Sequence, residues 1–80
     1  MVIPKLDDGW YSVVTAERSS GIVLNNDGAR YFDGNGECFR FFDSLITVKE
    51  FAVNKAKTSS TLIEVGIYDH NGNFIEEIIR

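Results

Sequence analysis

Few side chains in this 80-residue chain carry reactive chemistry. Cys38 is its one thiol and His70 its one imidazole. A nucleophilic mechanism needs such a pair within hydrogen-bond reach, with a third group to orient the base. Cys38 sits in Glu-Cys-Phe-Arg-Phe-Phe, a strand-like run that suits a small buried hydrophobe. His70 sits in Asp69-His70-Asn71-Gly72-Asn73, a run that reads as a loop tip. That run has the residue types of a calcium loop without the spacing, because Arg80 stands where the bidentate glutamate belongs. Asp33-Gly34-Asn35-Gly36 is a turn rather than a phosphate cradle, since no Lys-Ser or Lys-Thr follows it. Asp7-Asp8 and Glu76-Glu77 pair carboxylates in sequence only. Neighbours on a strand point to opposite faces, so Glu76 and Glu77 do not converge. These residues predict no catalytic site, no metal and no cofactor, hence a protein that is not an enzyme.

The elements that position these residues are marked by punctuation. Asn25-Asn26-Asp27-Gly28, Asp33-Gly34-Asn35-Gly36 and Asn71-Gly72 are turn signals, because Gly and Asn accept positive φ at little steric cost. Between them, runs rich in aromatic and β-branched residues predict strands over 10–16, 21–24, 29–32 and 37–42, joined as an antiparallel meander. Thr47-Val48-Lys49-Glu50 has the form of a capping box, and Ile46 and Phe51 have the spacing of a hydrophobic staple. A helix over about 47–58 follows, with Val48, Phe51, Ala52 and Ala56 as its apolar stripe and Lys55 and Lys57 near its negative pole.

The last residues form a hairpin. A three-residue loop, His70-Asn71-Gly72, pairs Ile67 with Ile75 and Ile63 with Ile79, keeps one face apolar, and requires Gly72 at positive φ. The fold class is therefore α+β: a two-layer single domain over 1–80. A mostly antiparallel sheet of about four to six strands carries one helix on one face. Trp10, Val13, Phe39 and Phe41 are expected to join the core.

Composition excludes several functions. One cysteine cannot form a disulfide within the chain and suits a reducing cytoplasm. Lys plus Arg is 8 against 12 for Asp plus Glu, a net charge of −4, which opposes phosphate binding. Met1 to Asp8 lacks the apolar run of a signal peptide, and no stretch reaches the length of a spanning helix. Arg40-Phe41-Phe42 and Tyr31-Phe32 set rings beside basic residues, as a sheet that stacks single-stranded nucleic acid would. The accompanying glycine and basic pattern is missing.

The expected register turns Leu62, Tyr68, Phe74 and Ile78 away from the helix, among Glu64, Glu76 and Arg80. Large apolar side chains rimmed by charge are the mark of a protein-binding surface. Leu62, Glu64, Tyr68, Phe74, Glu76 and Ile78 are thus the expected partner-binding residues. In the competing arrangement Val2, Ile3 and Leu6 fold over this face and cover it.

In size, acidity and strands-helix-strands layout, the whole chain resembles the small stand-alone proteins that phages encode against host defences, the anti-CRISPR inhibitors among them. That resemblance implies an inhibitor working by occlusion in the host cytoplasm on a defence or nucleic-acid-processing complex. A domain of this size can present about 800 Å² to such a partner. The stretch from Phe42-Asp43-Ser44 to Phe51-Ala52, followed by Ile67-Tyr68-Asp69-His70-Asn71-Gly72, also resembles small bacterial domains in which a helix after Phe-Asp-Ser leads into a closing hairpin. The alternative function is an accessory domain that binds single-stranded nucleic acid through its aromatic residues. Self-association is a further option for so small a core.

Overall fold

Val, Ile, Thr and aromatic residues dominate the runs that become strands, where branched and planar side chains pack well on a pleated surface. The computed structural model describes residues 2–31 and 36–79. Among them run β1 (Tyr11–Glu17), β2 (Val23–Leu24), β3 (Phe39–Phe42), α1 (Leu45–Thr58), β4 (Ile63–Tyr68) and β5 (Phe74–Ile79). The five strands form one antiparallel sheet with the helix on one face, the α+β architecture expected from the sequence.

The first half is not a simple meander. β1 is the centre of the sheet, and β2 and β3 share one of its edges end to end. β2 pairs with Thr15 and Ala16, and β3 with Tyr11 to Val14. β4 takes the other edge of β1, and β5 pairs with β4. Neighbours on both sides bury Ser12, Val13 and Val14 of β1 together. The strand expected over 29–32 reduces to a single bridge between Leu24 and Arg30, and Phe32 lies outside the described residues. Turn chemistry explains this reduction. Gly28 N–H bonds Asn25 O at 2.9 Å and Ala29 N–H bonds the Asp27 carboxylate, so the chain is still turning where the strand should begin.

The helix starts earlier than its capping box suggests. Ser44, not Thr47, is the N-cap: its backbone is extended, and its hydroxyl accepts the Thr47 N–H at 3.4 Å. Ile46 is 72% exposed, so no staple forms with Phe51. Phe51 instead packs on Phe42 of β3, ring centroids 5.1 Å apart. A tertiary partner thus replaces the local one, and the helix begins two residues earlier. The stripe is as expected: Val48, Ala52 and Ala56 are buried, Phe51 packs beside them, and Lys55 and Lys57 occupy the last turn. The core joins these residues to Val13, Ile63, Val65 and Ile67, with Tyr11, Leu24, Phe42 and Ile78 at its margin. Of the other rings expected inside, Phe39 is half-buried, while Trp10 and Phe41 are exposed.

The hairpin agrees with expectation at its loop and departs from it one residue later. Gly72 has φ +82°, its N–H bonds Asp69 O, and Asp69 N–H bonds Asn73 O, which closes the three-residue loop. Tyr68 pairs with Phe74, as that loop dictates. A β-bulge at Ile75 then shifts the register, so Ile67 faces Glu76, Val65 faces Ile78 and Glu64 faces Ile79. The expected pairing of Ile67 with Ile75 and Ile63 with Ile79 is wrong. The physical reason lies in the middle of the strand. Without the bulge, Glu77 would stand opposite fully buried Val65. With it, Ile78 takes that place, and Glu76 moves to the rim, where Lys49 of the helix meets it at 3.7 Å. A buried unpaired carboxylate costs several kcal/mol, whereas the bulge leaves one exposed residue, Ile75, out of the ladder.

Candidate binding face

Strand alternation sorts side chains onto two faces. Ile63, Val65 and Ile67 lie under the helix, so Glu64, Gly66 and Tyr68 of β4 point outward. The pairing then builds the outer face row by row. Phe41, Ser12, Tyr68 and Phe74 form one row across four strands. Phe39, Val14, Gly66 and Glu77 form the next, and Val23, Ala16, Glu64 and Ile79 the third.

Aromatic side chains dominate this surface. Phe39 and Phe41 stack at 6.3 Å with planes 18° apart. Tyr68 meets Phe74 edge-on at 5.8 Å, and its ring lies over Gly66, where an added Cβ would come within 3.3 Å of the ring. Gly66 is thus a flat spot that lets Tyr68 lie down on the sheet. Ser12, between Phe41 and Tyr68 in the first row, is fully buried, and its hydroxyl finds no partner among the described residues. Phe74 is 58% exposed, Phe41 46% and Ile79 45%.

The sequence-predicted partner residues divide between the faces. Glu64, Tyr68 and Phe74 are on the outer face together. Glu76 and Ile78 are not. The bulge carries both to the helix side, where Glu76 meets Lys49 and Ile78 packs on the core. Leu62 is exposed but stands before β4, beside Arg18, whose N–H bonds its carbonyl at 3.0 Å. Arg80 lies outside the described residues. In place of Glu76 and Ile78, the face gains Phe41, Glu77 and Ile79, residues the sequence reading missed. For Glu77 and Ile79 the signal is in β5 itself, since the expected register forces the Glu77 side chain into the core; Phe41 is set by the pairing of β3 with β1.

Among the described residues, the N-terminal segment is held at the hairpin loop. Leu6 N–H bonds His70 O at 2.7 Å and Ile3 lies beside Gly72, so the segment rests on the hairpin loop. Val2 is exposed.

Charge is distributed unevenly. The strand positions of the outer face hold Glu64 and Glu77 and no Lys or Arg. Lys49, Lys55 and Lys57 are on the helix. Arg40 is on the helix side too, its guanidinium 5.4 Å from the Phe51 ring centroid, which removes it from the stacked rings beside it in sequence. Arg30 is paired with Glu17 at 2.9 Å. The Ser20 hydroxyl, then Arg30, hold the Glu17 carboxyl below its ordinary range.

The reactive side chains do not converge. Cys38 is buried just before β3, and burial pushes its thiol up. His70 is on the hairpin loop, past the end of β4, with Nδ1 3.6 Å from the Asp8 carboxylate. Asp69 is committed to the loop, accepting from Asn71 N–H and Asn73 N–H at 2.9 Å each. Among the described residues, no three His, Cys, Asp or Glu side chains are grouped to hold a metal ion, and no helix is long and apolar enough to cross a membrane. Comparison with protein-family models, with curated proteins and with solved structures finds no match to this chain.

Proposed function

We propose that the protein is a small non-enzymatic inhibitor that docks on a protein partner through the outer face of its sheet. Its target is a host defence complex of the kind that phage-encoded anti-CRISPR proteins block, and it acts by occlusion in the host cytoplasm. The observation that supports this reading is the row of Phe41, Tyr68 and Phe74 across the sheet, in which Phe41 and Phe74 are exposed and Tyr68 is half-buried between them. Aromatic anchors ringed by a few charges are the usual energetic centre of a protein interface. Glu64 and Glu77 on the same face disfavour the alternative of single-stranded nucleic acid, whose phosphates they would repel.

The test is titration of the purified protein into reconstituted CRISPR surveillance and nuclease complexes, read as DNA cleavage. Stoichiometric inhibition is expected. The double variant Phe41→Ser, Phe74→Ser should weaken it by about a hundredfold or more, since two interface anchors carry about 2 kcal/mol or more each. Val53→Ser, on the exposed side of the helix, should leave it unchanged. A protein that inhibits none of these complexes at micromolar concentration, yet binds single-stranded DNA in a salt-sensitive manner, would replace this reading with the nucleic-acid one.

A further inference from the structure

β5 ends the sheet. Among the described residues it pairs with β4 alone, so the backbone N–H and C=O groups of its other edge are unmatched within the sheet. Such an edge templates another strand unless something blocks it. Here the blocking device is selective. β5 reads Phe-Ile-Glu-Glu-Ile-Ile, without Pro or Lys. In the fully overlapped two-fold pairing of β5 with a second copy, Glu76 stands opposite Glu77 of the other chain. Sliding by one residue either way sets Glu76 against Glu76 or Glu77 against Glu77. Like charges directly opposite destabilise a ladder, so the strand repels itself in each of the three antiparallel registers that pair five or six of its six residues.

The same two glutamates would attract a basic strand, and they differ in availability. Glu76 already meets Lys49 on the helix side. Glu77 is exposed on the outer face, where the strand positions hold no cation to answer it. Phe74 and Ile79 flank it on that face. A strand laid along β5 would therefore match it best with a basic side chain opposite Glu77 and apolar side chains two positions to either side, all pointing outward.

We propose that the free edge of β5 accepts an extended segment of a partner protein as an additional strand, recognised by a Lys or Arg opposite Glu77 and flanking apolar residues on the outer face. Main-chain pairing supplies affinity in such strand addition, and alternate side chains supply specificity. This inference deepens the protein-binding reading and rests on it.

The probe is a capped peptide, Thr-Val-Thr-Lys-Thr-Val-Thr, titrated into the full-length ¹⁵N-labelled protein and followed by amide shifts. A second peptide carries Glu in place of Lys. The expected result is shifts concentrated in β5, with the Lys peptide bound about tenfold more tightly than the Glu peptide. The variant Glu77→Lys should reverse that preference, a charge swap that loss of folding cannot imitate. Equal binding of both peptides, shifts centred on the helix, or no shift at millimolar peptide would overturn the assignment. So would concentration-dependent β5 shifts without peptide, which would give the edge to a second copy. Undiminished inhibition of a defence complex by Glu77→Lys would remove the edge and leave the outer-face reading standing. Peptide capture by β5 with no complex inhibited would do the reverse.

Discussion

Asp69 organises the hairpin loop on its own. Its Oδ1 accepts Asn71 N–H and Asn73 N–H, and its Oδ2 lies 3.5 Å from Asn73 Nδ2. The Asn73 amide, then the Asn71 amide, the Asn73 side chain and the charge of His70, outweigh the opposing effect of burial and hold its carboxyl below the usual range. A folded-state pKa below the unfolded one means that the ionised group favours the fold above the unfolded value, about 3.9, and that this contribution is lost as the pH falls through the folded one. Asp69→Ala should therefore destabilise the protein fully above about pH 5. The difference from wild type should shrink as the pH drops below about 4, as followed by urea unfolding across that range. A difference that stays constant down to about pH 2 would deny the carboxylate this role.

Helix α1 shows where local signals compete. Two serine/threonine caps lie three residues apart, and the sequence pattern favours Thr47 because Glu50 completes a box with it. The structure uses Ser44, since Phe51 finds Phe42 across the layer and Ile46 is left in solvent. Ser44→Ala should then cost about 1 kcal/mol, the ordinary value of a lost N-cap. Thr47→Ala, at an exposed first-turn position, should stay within about 0.5 kcal/mol. Chemical denaturation of the two variants decides it: a larger loss at Thr47 would restore the capping box.

Much of the molecule is legible in its residues. The β4 alternation of Ile63, Val65 and Ile67, the stripe of Val48, Ala52 and Ala56, and the positive φ at Gly72 all follow from period and turn chemistry, and they suffice for a helix on an antiparallel sheet. Two things are not legible. Strand order depends on long-range pairing, so nothing local tells β3 to pass β2 and join β1. The make-up of the outer face depends on a bulge, which local alternation does not encode, and this is why the sequence pattern points Glu76 and Ile78 outward and Glu77 and Ile79 inward. The bulge also makes one position in β5 expendable. Removing a residue from a paired strand ordinarily turns everything beyond it to the wrong face. Without Ile75, every remaining pair from Tyr68 with Phe74 to Glu64 with Ile79 would be kept, in an uninterrupted ladder. Deletion of Ile75 should leave a cooperatively folded protein, whereas deletion of Gly66 from β4, whose pairing with β1 has no bulge to absorb it, turns Glu64 toward the helix and should unfold the protein; thermal unfolding of the two variants checks this, and equal damage from both would refute it. In evolutionary terms the hairpin carries a built-in site for loss or gain of one residue, a place where chain length can drift while the rest of the sheet stays in phase.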